Sequence, residues 1–384
     1  MKFLLVCGGT AGHINPALAI ATELRRNIPD AKVLFVGAGK ESEKRLIPDG
    51  GFHLVNIRMS GLKRGISPEE LIYNAKTARN LATAGIKAGK LLQRFKPDAV
   101  IGTGGYVCYP ILKKAAQMGI PTVIHGSDAV PGLTIKLLSA TVDKVLVSFP
   151  GLERLYRRPE RVVFTGTPVR SGFKMPPENG KIRGIKTKPL LVSFWGSQGA
   201  ERMNETMAEF IRLNIDKCLF NHIHATGMSG GVKEMKNRLK KLEAPDNLPQ
   251  GIEIREYIDD MSSVMANADL VLCRAGASTL AELTVMGKPA VLVPSPYVTN
   301  NHQEENARQL HDAGGALMIL EKDCTGETLF DTVTSLLMDK EKLAEMSEAQ
   351  KKLATPNAVE KIVEVVLTLC NRRGGNLSPA KRAQ

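Results

Sequence analysis

Apolar residues along this chain fall in short runs separated by longer stretches of helical periodicity. The runs Phe3–Val6, Val33–Val36, Leu54–Ile57, Ala99–Ile101, Thr122–Ile124, Lys144–Val147 and Val162–Phe164 mark candidate strands. After a Pro-, Gly- and Lys-rich stretch from Pro176 to Pro189, a second series follows: Leu190–Phe194, Asn221–His224, Glu253–Arg255, Leu270–Leu272, Ala290–Val293 and Ala316–Ile319. Continuous apolar runs alternating with helices predict parallel sheets with helical crossovers, an α/β fold. Both series open alike. Leu4-Leu5-Val6 leads to Gly8-Gly9-Thr10-Ala11-Gly12-His13, and Leu190-Leu191-Val192 leads to Gly196-Ser197-Gln198-Gly199-Ala200. The pattern predicts two Rossmann-like domains with a cleft between them. The expected bounds are 1–166 and 167–355. A helix over 356–370 is expected to pack back on the first domain, and 371–384 reads as a basic disordered tail.

A length of 384 residues suits two domains. No apolar run approaches the roughly 20 residues that span a bilayer. The opening Met-Lys-Phe-Leu-Leu-Val-Cys-Gly-Gly reads as a first strand rather than a signal peptide, so a cytoplasmic protein is expected. The six cysteines are scattered without metal-like spacing, which fits free thiols. The net charge is +13, and its distribution is informative. Residues 1–170 hold 25 Lys and Arg against 12 Asp and Glu, whereas 171–384 hold 27 of each. A basic first half suggests an anionic partner. Only 5% of residues are aromatic and no nucleic-acid motif is present, so phosphate or acidic lipid is favoured over nucleic acid.

The loops carry the candidate chemistry. In the first, glycines allow close backbone approach where a helix N-terminus favours phosphate, implicating Gly9, Thr10, Ala11 and Gly12. His13 sits where that helix begins. A histidine there either caps and packs, or acts as a general base beside a bound phosphate. The stretches Gly102-Thr103-Gly104-Gly105-Tyr106 and His125-Gly126-Ser127-Asp128 also follow strands, where open α/β sheets bind ligands. In the second half, Ser197 and Gln198 form another phosphate loop. Thr279 and Glu282 share a helical face behind Ala277 and Ser278. A carboxylate there either complements the helix dipole or accepts both ribose hydroxyls. His302 and Gln303 open a polar helix, solvated or facing sugar hydroxyls. No Asp-x-Asp motif is placed to hold a nucleotide-bound metal, so no metal or cofactor is expected.

Together these stretches resemble the MurG family of glycosyltransferases. GGTAGH (8–13), GGY (104–106), HGSDAVPGLT (125–134), TGTPVR (165–170), GSQGA (196–200), HATG (224–227), YIDDM (257–261), CRAGASTLAE (273–282) and HQEENA (302–307) occur in family order. The resemblance implies the GT-B architecture and inverting transfer of N-acetylglucosamine from UDP-GlcNAc to the 4-hydroxyl of lipid I, an undecaprenyl-diphosphate-linked muramyl peptide, to make lipid II. It implies that Glu282 holds the ribose, Ile258 reads uracil through its backbone, and Ser197, Gln198, Ala277, Ser278 and Thr279 face the diphosphate. His302 and Gln303 then face the sugar and Arg170 lies near the nucleotide. His13 resembles the proposed base, with Gly104, Gly105 and Tyr106 on the acceptor side. Two departures stand out. Ala11 replaces a usual glycine, and His-Gly-Ser-Asp replaces the usual His-Glu-Gln-Asn, making Asp128 a second candidate base. Ser67-Pro68-Glu69-Glu70 reads as a capping box opening a helix with Leu71, Ile72, Leu81, Ile86, Leu91, Leu92 and Phe95 among six Lys and Arg. It resembles the family's membrane-facing region, implying peripheral attachment to an anionic cytoplasmic membrane face.

Overall fold

The computed structural model describes residues 1–57, 59, 67–174, 188–228 and 231–374, with backbone only at 68, 70–82, 373 and 374. They divide into two compact units. The first comprises Met1–Arg170 and the chain from Pro356 onward, and the second is Ser171–Thr355.

Seven strands build the first unit: β1 (Lys2–Cys7), β2 (Lys32–Gly37), β3 (His53–Asn56), β4 (Ala99–Gly104), β5 (Thr122–Gly126), β6 (Lys144–Val147) and β7 (Val162–Phe164). They pair in the order β3-β2-β1-β4-β5-β6-β7, every pair parallel. The crossovers include α1 (Ala11–Asn27), α2 (Glu41–Asp49), α3 (Pro68–Phe95), α4 (Cys108–Gln117) and α5 (Leu133–Leu138). Strand β1 shows why its run is apolar throughout. Phe3, Leu5 and Cys7 pack with α1, while Leu4 and Val6 pack with α3 and α4 on the opposite face. A parallel strand covered on both faces has no solvent side to make polar.

The second unit repeats the design with β8 (Leu190–Phe194), β9 (Asn221–Ala225), β10 (Ile252–Arg255), β11 (Leu270–Cys273), β12 (Ala290–Leu292) and β13 (Ala316–Met318). The order is β10-β9-β8-β11-β12-β13, again parallel. Its helices are α6 (Ser171–Lys174), α7 (Glu201–Lys217), α8 (Gly231–Lys241), α9 (Met261–Asn267), α10 (Ala277–Met286), α11 (His302–Asp312), α12 (Gly326–Met338) and α13 (Lys340–Leu353). The chain then returns to the first unit as α14 (Ala358–Gly374), whose Val359, Ile362, Val363 and Val366 join the core beside α1.

The thirteen expected strands are all present. Two run at least two residues past the expected end: β4 includes Gly102–Gly104 and β5 includes His125 and Gly126. Small residues belong there because the sheet is crowded. A Cβ at Gly102 would lie 2.7 Å from Ile124 Cδ1. The last helix also continues four residues past Cys370, through Asn371–Gly374. Basic Arg372 near its end complements the helix dipole. The rest of the expected tail, the linker up to residue 187, and the side chains of the expected amphipathic helix at 70–82 lie outside the described residues.

Candidate functional site

Each sheet reverses its strand order once, between β1 and β4 and between β8 and β11. Loops leaving the carboxyl ends of strands at such a reversal line the usual ligand crevice of an open α/β sheet. The glycine loops found in the sequence occupy these positions in both units.

In the first unit the two loops touch backbone to backbone. Gly8 N donates to Gly104 O at 3.2 Å. Gly105 has φ +84°, and a Cβ there would sit 2.6 Å from Gly8 O, so only glycine fits. Gly104, at φ +123°, lies under the His13 ring: a Cβ would be 2.3 Å from His13 Nδ1. His13 Nδ1 is 3.1 Å from Thr103 O, and Thr103 Oγ1 donates to His13 O at 2.7 Å. Thr10 precedes α1 in extended conformation, and Ala11 opens the helix with no positive φ. The Ala11 methyl is therefore accommodated. Gly9 is different from expectation. Its N–H donates to the buried Glu43 Oε1 at 2.8 Å, so it faces α2 rather than a phosphate. Tyr106 is half-buried against the α3–α4 side of the core.

His125 and Asp128 gather near His13. His125 lies in strand β5, wholly buried, with Nε2 3.0 Å from Gly166 O. Burial pushes its pKa down to about 4; the Gly166 carbonyl and the Asp128 charge oppose this, and the His13 charge adds to it. His125 Nδ1 is buried without a hydrogen-bond partner. Asp128 is half-buried, and its charge adds to burial in pushing the Tyr156 hydroxyl up to about 12. Position 126 is enclosed: a Cβ would meet Ile135 Cδ1 at 3.2 Å and Tyr156 Oη at 3.6 Å. Arg170 is exposed and ends the first unit.

In the second unit the β8 loop turns on Gly196 and Gly199, at φ +82° and +80°. It stacks on the end of β9, since a Cβ at Gly199 would lie 2.2 Å from Thr226 O. Met228 N donates to Ser197 O at 3.2 Å, leaving Ser197 half-exposed and Gln198 exposed. The β11 loop leads into α10 at Ala277, with Ser278 and Thr279 in its first turn. Glu282 is the sixth helical residue and is buried, so it lies in the second turn rather than the first. Dipole complementation therefore does not account for it. Its charge helps burial raise the neighbouring Cys273 thiol. Asn306 Nδ2 donates to Ala275 O at 3.2 Å, tying α11 to the start of α10. His302 Nδ1 faces Thr299 O at 2.8 Å, and Gln303 Oε1 accepts from Ser295 N at 2.9 Å. Two left-handed asparagines, Asn300 and Asn301, set this helix entry. Ile258 buries its side chain in the turn between β10 and α9.

Sequence reasoning missed a buried ion pair in this unit. Arg274 Nη2 lies 2.6 Å from Glu321 Oε2, Arg274 Nη1 donates to Val293 O at 3.1 Å, and the guanidinium sits 5.7 Å from the Trp195 ring. Trp195, Arg274 and Glu321 line a cavity of about 430 Å³ together with Tyr297 and Gln303. The available signal was a charged residue directly after the apolar run Leu270–Cys273. Among the described residues no group of three or more His, Cys, Asp or Glu is placed to hold a metal ion, and no helix is long and apolar enough to cross a membrane.

Residues 3–147 match the glycosyltransferase family 28 N-terminal domain, and residues 190–362 match the glycosyltransferase family 28 C-terminal domain. The chain is 43% identical over 369 residues to the UDP-N-acetylglucosamine–N-acetylmuramyl-(pentapeptide) pyrophosphoryl-undecaprenol N-acetylglucosamine transferase of Acetivibrio thermocellus, covering 95% of this chain and 97% of that one. It is also 43% identical over 372 residues to the transferase of the same description from Caldanaerobacter subterraneus, covering 96% and 100%. Among solved structures, MurG of Acinetobacter baumannii matches with a TM-score of 0.72 at 28% identity, over 96% of this chain and 100% of that one. The two Rossmann-like units and this likeness bear out the expected GT-B class.

Proposed function

Because the chain belongs to the MurG family of family 28 glycosyltransferases, and so transfers N-acetylglucosamine from UDP-GlcNAc to lipid I to make lipid II, we propose how its residues share that reaction. The second unit takes the donor. Glu282 accepts the two ribose hydroxyls, and the Ile258 backbone reads uracil. The first-turn amides at Ala277, Ser278 and Thr279, with Ser197 and Gln198, face the diphosphate, where the helix dipole favours negative charge. His302 and Gln303 address the sugar hydroxyls, and the Asn306 tie supports their holding one geometry with the start of α10. Arg170 is assigned to the nucleotide by the family resemblance alone.

The first unit takes the acceptor, with Thr10, Ala11, Gly12, Gly104, Gly105 and Tyr106 around it. The observation that carries this reading is the His13–Thr103 pair. A carbonyl oxygen only accepts, so the neutral imidazole carries its proton on Nδ1 and a lone pair on Nε2. That tautomer suits a general base. The acceptor's 4-hydroxyl oxygen bonds to the anomeric carbon, the bond from that carbon to the UDP oxygen breaks, and the hydroxyl proton passes to His13 Nε2. Configuration inverts. Charge developing on UDP is met by the α10 amides. Asp128 supplies a favourable charge for the imidazolium, and it is the second candidate base.

The first unit also meets the membrane. Ile86, Leu133 and Leu137 are 63%, 56% and 50% exposed on α3 and α5, which cover one face of the sheet. Lys87, Lys90 and Lys136 are exposed beside them. Each basic residue near an anionic leaflet contributes about 1 kcal/mol, lost at high salt. Attachment is peripheral, at the cytoplasmic face.

The test is UDP release from UDP-GlcNAc, with and without a soluble lipid I analogue, in EDTA. Acceptor-dependent release is expected. Donor binding without release would reassign the acceptor and point to Gly126–Asp128.

A further inference from the structure

Glu43 is wholly buried, yet it is a carboxylate. Burying one is costly unless its charge is satisfied. Here three backbone amides satisfy it. Oε2 accepts from Gly39 N at 2.7 Å and Lys40 N at 3.0 Å, which caps the helix α2 that carries it. Oε1 points elsewhere, to Gly9 N at 2.8 Å, thirty-four residues away. Its neighbour Ser42 donates from Oγ to Gly9 O at 2.8 Å. Both polar groups of the Gly9 residue are thus held by the first turn of α2. Room for the carboxylate is made by Gly37, where a Cβ would lie 2.5 Å from Oε2.

Helix capping needs only Oε2. The second oxygen instead fixes a turn in which Gly9 has φ +93°, with open space where a Cβ would stand. That turn leads through Thr10 directly into α1 and His13. On its other side, Gly8 is pinned to Gly104, and His13 to Thr103. The loop is therefore clamped between α2 and the β4 end.

We infer that Glu43 is a positioning residue for the transfer reaction: its carboxylate fixes the Gly8–Thr10 turn from which α1 presents His13. The inference rests on the His13 reading above. A glutamine at this position keeps one oxygen and turns an N–H donor toward either Gly9 N–H or the α2 cap. Charge-assisted hydrogen bonds are the stronger ones, so the anion itself matters.

The experiment measures kcat, the KM for UDP-GlcNAc and the urea midpoint for Glu43→Gln, His13→Ala and the double variant. Glu43→Gln is expected to fold and to lose kcat by roughly 10- to 100-fold, the size of one charge-assisted hydrogen bond. Its KM for UDP-GlcNAc stays within about twofold, and the double variant turns over no more slowly than His13→Ala alone. Folded Glu43→Gln with wild-type kcat overturns the inference, as does a double variant in which the two losses add. If Glu43→Gln does not fold, Ser42→Ala enters the same cycle, with a smaller loss expected and the same additivity criterion. Full turnover by His13→Ala alone defeats the base assignment separately, and Glu43 is then judged by the kcat of its own variant.

Discussion

His13 Nδ1 lies 3.1 Å from the Thr103 carbonyl oxygen, and the Thr103 hydroxyl returns a 2.7 Å hydrogen bond to the His13 carbonyl. Main-chain oxygens of β4 and α1 thus help orient the imidazole. A general base contributes about 10²- to 10⁴-fold, the loss that the proposed role of His13 predicts. His13→Ala should lose kcat by that factor in a UDP-release assay while the Kd for UDP-GlcNAc holds. Asp128→Asn should lose less. The reverse order of losses would transfer the base role to Asp128.

Gly104→Ala should mimic that loss by a different route. The added Cβ would stand 2.3 Å from His13 Nδ1, at a backbone φ of +123°. Strain of this kind costs on the order of 1–3 kcal/mol. A lowered urea midpoint together with a lowered kcat is expected. A variant as active as wild type would show that the His13 ring has room to move.

Glu282→Ala should act on the donor alone. Each hydrogen bond to a charged group contributes about 1.5–3 kcal/mol. The KM for UDP-GlcNAc should rise by at least roughly tenfold, with the acceptor KM unchanged. Wild type should prefer UDP over 2′-deoxy-UDP as an inhibitor, and the variant should not. If the variant keeps that preference, another group reads the ribose.

Three buried histidines should make the fold acid-sensitive. Burial lowers His125 to about 4 and His224 to about 3, and holds His222 well below its ordinary value. In the unfolded chain they titrate near pH 6.5. Below that pH the unfolded chain binds protons that the folded chain does not, so stability falls as pH falls toward 4. Above about pH 7 both states are neutral and the histidines add no slope. The maximal slope is about 1.4 kcal/mol per pH unit for each histidine. Urea midpoints at pH 7.5 and 5.5 measure it, and equal midpoints would contradict it. Ser193 Oγ lies 2.7 Å from both His222 Nε2 and His224 Nδ1, an arrangement that uses neutral rings.

Glu321→Gln should destabilise the second unit strongly. It leaves the Arg274 guanidinium buried without its anion, which costs roughly 3–5 kcal/mol. Replacing both residues by methionine should recover much of that loss in a denaturation series. A single variant of unchanged stability would mean water already solvates Arg274.

The inner strands β1, β8 and β11 were legible because each is a largely apolar run buried along its length. Strand ends were less so. Gly102–Gly104 and His125-Gly126 have the composition of loops, but in a crowded parallel sheet small residues are what neighbouring chains require. Which of the two roles open to Glu282 fits was decided only by where α10 begins, since a start at Ala277 puts the carboxylate in the second turn. The loops at both strand-order reversals were found from their glycines. What the sequence could not reveal were partners set by folding alone. Neither the Glu43 reach to Gly9 nor the Arg274–Glu321 pair leaves a local spacing. Even the candidate phosphate amide of Gly9 looked free until its partner from α2 was in place.

The return of α14 to the first unit has a consequence for biosynthesis. A ribosome releases the second unit, contiguous from Ser171 to Thr355, before the chain that completes the first. Until Val359, Ile362, Val363 and Val366 emerge, one flank of α1 has no cover. The unit translated first is therefore the one that matures last. It waits with an exposed apolar face while its successor folds, a vulnerable interval for aggregation or chaperone capture during synthesis.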